Sequence, residues 1–103
     1  DPGWLSFALS SPESQETERL KVALLAAARS EPLLRVKGFV RSASHTINGG
    51  HAVLVQAVRT RVTMSAAAEK ASPVKSELVF IGYHLNRNNV AALVTELTGT
   101  AWK

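Results

Sequence analysis

Apolar and polar residues alternate along Leu33–Arg41, and this stretch organises the middle of the chain. Leu34, Val36 and Val40 are separated by Arg35, Lys37 and Arg41, the two-residue period of a strand with one buried face. Phe39 departs from the alternation, and Gly38 removes a side chain where a neighbour is expected to come close. Upstream, Leu5, Phe7 and Leu9 repeat the period within Trp4–Leu9 and predict a second half-buried strand. Between these strands the spacing lengthens to that of a helix. Ser10-Ser11-Pro12-Glu13 reads as its start: serine caps free amides, proline is tolerated in the first turn, and Glu13, Glu16 and Glu18 suit the positive end of the dipole. Leu20, Ala23, Leu24 and Ala27 share one face. The helix should end near Ser30, because Pro32 disfavours helical geometry at Glu31.

Beyond Arg41, the chain runs into Asn48-Gly49-Gly50, residues that accept the positive backbone angles of a tight hairpin. The return stretch from His51 to Met64 is rich in Val and Thr and reads as one extended strand that bends or bulges midway. Met64–Lys75 is small and polar, with Pro73 near its end, and reads as a loop. Glu77–Tyr83 is almost continuously apolar and should lie inside the sheet. A last helix is expected with Asn86 as its cap, Val90, Leu93, Val94 and Leu97 on one face, and Gly99 closing it. The order strand, helix, three strands, helix implies an α+β two-layer sandwich, a mainly antiparallel sheet of about four strands with two helices on one face.

With 103 residues and 46% hydrophobic content, the chain is the size of one domain with a modest core. Residues 1–103 are therefore read as a single unit in which Asp1-Pro2-Gly3 is the end of a linker. A net charge of +4 points to an acidic neighbour without choosing among a partner domain, nucleic acid and phosphate. The absence of cysteine excludes a disulfide framework, Cys-ligated zinc and a thiol nucleophile. It also fits a reducing compartment, and cytoplasmic localisation is expected. No run approaches the ~18 apolar residues of a membrane helix, and the N-terminal residues lack a basic start followed by an apolar signal core.

Chemical motifs are scarce. There is no Gly-rich phosphate loop ending in Lys-Ser or Lys-Thr, no His-Glu-x-x-His and no Gly-x-Ser-x-Gly. Glu69 and Glu77 have no carboxylate or histidine at useful spacing for acid/base work. No catalytic residue is therefore assigned, and the chain is not expected to be an enzyme. His45 and His51 flank the expected hairpin turn, where two imidazoles could meet a borderline metal ion, although two ligands without a third more often mean exposed polar residues beside a turn. His84 follows the last strand and is read as structural. A nucleic-acid reading also has some basis. Lys37-Gly38-Phe39-Val40 and Leu78-Val79-Phe80-Ile81-Gly82 look like the two signature strands of an RNA-recognition motif, with Arg35, Lys37, Arg41, Arg59 and Arg61 as phosphate contacts. The two signatures, however, stand in the reverse order from that family's, and the helix placement differs, which argues against nucleic acid.

A different resemblance covers nearly the whole chain. Trp4 to Phe7 and the helix after it, Leu33-Leu34-Arg35-Val36-Lys37-Gly38-Phe39-Val40, Leu54-Val55-Gln56-Ala57-Val58, and Ser76-Glu77-Leu78-Val79-Phe80-Ile81-Gly82 with its following helix resemble the C-terminal domain of CobW-type GTPases. The resemblance implies a distal domain of a longer protein. That protein's N-terminal part would be a P-loop GTPase with a cysteine-containing metal motif, absent from this chain. It further implies a metallochaperone role, in which cobalt, zinc or a related ion is delivered to client proteins, cobalamin synthesis included. GTP and a divalent metal would be cofactors of the missing part, with none in this domain. The expected partners are the chain's own GTPase domain and a metal-receiving client, with no membrane. Ser44–Gly50 stands where many relatives have a short Gly-Lys-Pro turn, and Ala66–Val74 replaces a Pro-Trp-containing loop. Such loops are where a client would be recognised.

The expectation from sequence is thus a noncatalytic regulatory or interaction domain with Lys37, Arg41, Arg59 and Arg61 on its interaction face. An RNA-binding module and a weak histidine metal site are the alternatives. The turn reading of His45 and His51 predicts no heat when zinc is titrated into the chain. Binding heat that vanishes in the combined His45→Ala and His51→Ala variant would instead establish a metal site.

Overall fold

The computed structural model describes residues 3–43, 52–67 and 75–103. Its elements run β1 (Trp4–Ser11), α1 (Thr17–Ser30), β2 (Leu33–Arg41), β3 (Ala52–Val58), β4 (Arg61–Ala66), β5 (Ser76–Tyr83) and α2 (Arg87–Thr98). The strands form one sheet in the order β1-β5-β2-β3-β4, and every neighbouring pair is antiparallel. The architecture is the expected α+β arrangement with β2 at the centre, and it has five strands in place of about four.

The extra strand arises because the stretch after residue 51 is two strands. Val58 pairs with Arg61 across a turn through Arg59 and Thr60, with Arg59 at φ 55° and its N–H donating to the Leu34 carbonyl. A left-handed arginine gives no composition signal of the kind that Gly or Asn would. Met64–Ala66, expected in a loop, belongs to β4. The hairpin turn expected at Asn48-Gly49-Gly50, with His45 and His51, lies outside the described residues, as do residues 68–74.

Both helices lie on one side of the sheet and pack on each other. The core between them and the strands holds Leu9, Leu20, Leu24, Ala27, Leu33, Val36, Val40, Val55, Leu78, Phe80, Val90 and Val94. Phe80 is fully buried and stacks on Phe7 with ring centroids 5.6 Å apart. In β2 the register shifts between Leu33 and Arg35, so that Leu33 is buried while Leu34, expected inside, is only half-buried. Gly38 meets its expectation. A Cβ there would collide with the Glu77 carbonyl oxygen on β5.

Helix ends follow local chemistry. Asn86 Oδ1 accepts from the Asn89 N–H at 2.9 Å, and Gly99 closes α2 at φ 73°. α1 starts later than the serines suggest: Glu16 is its cap, accepting from the Arg19 N–H. The delay has a tertiary cause. Gln15 forms an isolated bridge with Ser42; its N–H donates to the Arg41 carbonyl, and its carbonyl accepts from Ala43 N–H, both at 2.7 Å, which holds residues 12–16 extended.

That connection is fastened from two sides. The Arg41 guanidinium donates from Nε to Ser14 Oγ at 3.0 Å and from Nη2 to the Pro12 carbonyl at 2.8 Å. Buried Gln15 accepts from Thr100 Oγ1 through its Oε1 at 3.0 Å, and Glu13 accepts from the Ala101 N–H at 2.8 Å. Lys103 then exchanges two 2.9 Å backbone hydrogen bonds with Ser10 on the outer edge of β1. Among the described residues, every buried side-chain nitrogen and oxygen has a partner. No helix among them is long and apolar enough to cross a membrane.

Arg41→Ala removes both charge-assisted bonds to the β1–α1 connection and should lower unfolding free energy by about 1–3 kcal/mol in urea titration. Arg61→Ala, on exposed β4, should stay within about 0.5 kcal/mol. Equal effects for the two would contradict this account of Arg41.

Candidate interaction face

The side of the sheet away from the helices is where alternate strand residues point outward. Pairing register fixes their layout. One row across the five strands reads Ser6, Ile81, Arg35, Val58 and Arg61; the next reads Ala8, Val79, Lys37, Gln56 and Thr63; the third reads Ser10, Glu77, Phe39, Leu54 and Ser65. Trp4 pairs with Tyr83 at one corner.

The face divides into two halves by chemistry. The β1–β5 half carries Trp4, Tyr83, Ile81 and Val79 with small Ser6 and Ala8, and its only charge in these rows is Glu77. The β2–β4 half carries the cations Arg35, Lys37 and Arg61 among Phe39, Leu54 and Val58. Large apolar side chains are open to solvent in both: Trp4 is 47%, Phe39 48% and Val58 46% exposed. Exposed apolar residues gathered on one face, rather than scattered singly, make it a candidate contact surface.

The four cations expected to line an interaction face are placed differently from one another. Lys37 and Arg61 stand on the open face. Arg59 sits in the β3–β4 turn beside it. Arg41 lies at the end of β2, where its guanidinium is engaged with Ser14 and Pro12. Arg35, on the same face as Lys37, belongs with the group. The aromatic pair required by an RNA-recognition surface is split, since Phe39 is on the open face and Phe80 is buried under the helices. Among the described residues no three or more His, Cys, Asp or Glu side chains gather as a metal site.

Sequence reasoning passed over the apolar members of this face, Trp4, Val79, Ile81 and Tyr83. Their signal was present in β5. A strand apolar at successive positions has two apolar faces, and only one of them is covered here by helices. At the Trp4 corner the rings of Trp4 and Tyr83 meet edge to face, 5.3 Å apart at 67°, and Tyr83 meets His84 at 4.3 Å. His84 takes φ 54° and donates its N–H to the Gly3 carbonyl at 2.5 Å, which holds the residue before Trp4 against this corner.

Among curated proteins no relative matches the chain. Among solved structures it is similar to Zn(II)-bound YjiA GTPase from E. coli, with 21% identity and a TM-score of 0.67 over 92% of this chain. It is also similar to a Zn(II)-bound triple mutant of YjiA GTPase, with 20% identity and a TM-score of 0.66 over 93%. At that identity the likeness concerns the fold. The chain spans 30% of the length of each of these structures. A family model described as the cobalamin synthesis protein cobW C-terminal domain matches residues 4–98, from the first residue of β1 to the last of α2, and the chain belongs to that family.

Proposed function

We propose that the chain is the noncatalytic C-terminal accessory domain of a CobW-like GTPase and acts by surface contact in the delivery of a metal ion, cobalt or zinc, to client proteins. Cobalamin synthesis is one destination for such an ion, and the cytoplasm is the compartment. The observation that carries this reading is the family match over residues 4–98. The solved structures of like fold are GTPases of about three times this length, judged from the 30% coverage, which leaves room in such proteins for a separate nucleotide-binding part.

The open sheet face supplies the means. A domain without a reactive centre influences a GTPase by binding one of its nucleotide states more tightly than another, and the difference in contact free energy sets the coupling. Exposed apolar residues provide area for that contact, and Arg35, Lys37 and Arg61 suit a separate, acidic client surface.

The test is calorimetry between this chain and the separately expressed GTPase domain of the same reading frame. Association should be measurable and should differ between the GDP-loaded and GTP-analogue-loaded forms. Identical affinity in both states, or no association at all, would contradict regulation through this domain.

A further inference from the structure

Resting on the accessory-domain reading above, we propose that the β1–β5 half of the open sheet face is the seat of the GTPase part of the same polypeptide. Its contact residues would be Trp4, Tyr83, Ile81 and Val79. The basic β2–β4 half is then left free for a separate acidic surface.

Three observations place the occupant. The first is chain geometry. Trp4 is the first residue of the family match and stands at the corner of this half, with Gly3 held by His84, so anything that precedes Trp4 in the longer protein departs from here. The other end lies elsewhere: Lys103 pairs along the outer edge of β1, and Trp102 is buried in the helix-side core. A domain tethered ahead of Trp4 meets this half intramolecularly, at an effective concentration that a free partner lacks.

The second is the chemistry of the surface. Solvent-facing positions of an antiparallel sheet are ordinarily polar. β5 instead presents Val79, Ile81 and Tyr83 outward, beside Trp4, while its inward positions Leu78 and Phe80 are already covered by the helices. A strand apolar on both faces is suited to cover on both, and the helices among the described residues supply only one. Ser6 and Ala8 beside it are small enough for another backbone to come close.

The third separates the two halves. Docking over β2–β4 would desolvate Arg35, Lys37 and Arg61, which costs free energy unless each is matched by an anion. Docking over β1–β5 covers Glu77 alone among charged residues of these rows and has Arg35 and Lys37, opposite Ile81 and Val79 on β2, at its rim, where their long side chains can keep their charged ends in water. Stacked nucleobases do not suit this half either, because Trp4 and Tyr83 pack edge to face on one another and Val79 and Ile81 offer no π-face.

Hydroxyl-radical footprinting read by mass spectrometry tests the seat, comparing the 103-residue chain with the longer polypeptide from its reading frame and using buried Trp102 as the floor. Trp4 and Tyr83 should oxidise readily in the short chain and fall to the Trp102 level in the longer one, while Phe39 stays reactive in both. Val79→Asp in the longer polypeptide should restore Trp4 and Tyr83 oxidation, and Lys37→Glu should not. Three results would overturn the seat: unchanged Trp4 and Tyr83 reactivity, protection of Phe39 in their place, or protection that grows with concentration of the short chain, which signals a second copy. A longer polypeptide that binds GTP yet leaves Trp4 and Tyr83 reactive overturns the seat alone. One that binds no GTP overturns the accessory-domain reading and the seat with it.

Discussion

The structure depends on how β5 is covered. This strand lies between β1 and β2, hydrogen-bonded on both edges, and sends Leu78 and Phe80 into the helix-side core. Phe80 stacks on Phe7, and α1 and α2 close over the same side with Leu20, Leu24, Val90 and Val94. Burial of this kind contributes roughly 1.5–3 kcal/mol for each large apolar side chain taken fully from water. The opposite side of β5 carries Val79, Ile81 and Tyr83 beyond Glu77, and among the described residues no helix covers it. One strand therefore carries both the reason this domain holds together and the reason it has a surface to offer.

The outer edge of β1 is partly occupied. On β1 the Arg87 guanidinium lies over Phe7 and donates to the Ala8 carbonyl at 3.1 Å, and Lys103 pairs with Ser10. These contacts occupy backbone groups that would otherwise invite another strand. The same C-terminal segment, through Thr100 and Ala101, fastens the β1–α1 connection that Arg41 holds from the β2 side. Both helices lie over one face, and among the described residues the other face keeps Trp4, Phe39, Val58, Val79 and Tyr83 exposed.

Much of the fold was legible in sequence, for identifiable reasons. The period of two along β1 and β2 and the helical spacing of Leu20, Ala23, Leu24 and Ala27 report burial directly. Asn86 and Gly99 carry their capping roles in their own side-chain chemistry. What failed to show was set by distant partners. The late start of α1 is imposed by Gln15 pairing with the end of β2, the exchange of Leu34 for Leu33 by a register shift against β5, and the β3–β4 turn by an arginine in a conformation that its side chain does not announce. The candidate face was legible in part. Lys37 and Arg61 follow from alternation, whereas the engagement of Arg41 with Ser14 and Pro12 needs the tertiary structure. The outward residues of β5 were hidden inside an apolar run that reads as interior strand.

The chain belongs to the cobW C-terminal family and has an open, partly apolar sheet face, and the function proposed above gives it a contact role with bond-breaking left to residues outside it. GTP turnover by the purified 103-residue chain is the most direct measurement. The account predicts none above the uncatalysed rate, with all turnover of the longer polypeptide lost when its phosphate-loop lysine is replaced. Hydrolysis by the 103-residue chain alone would contradict it.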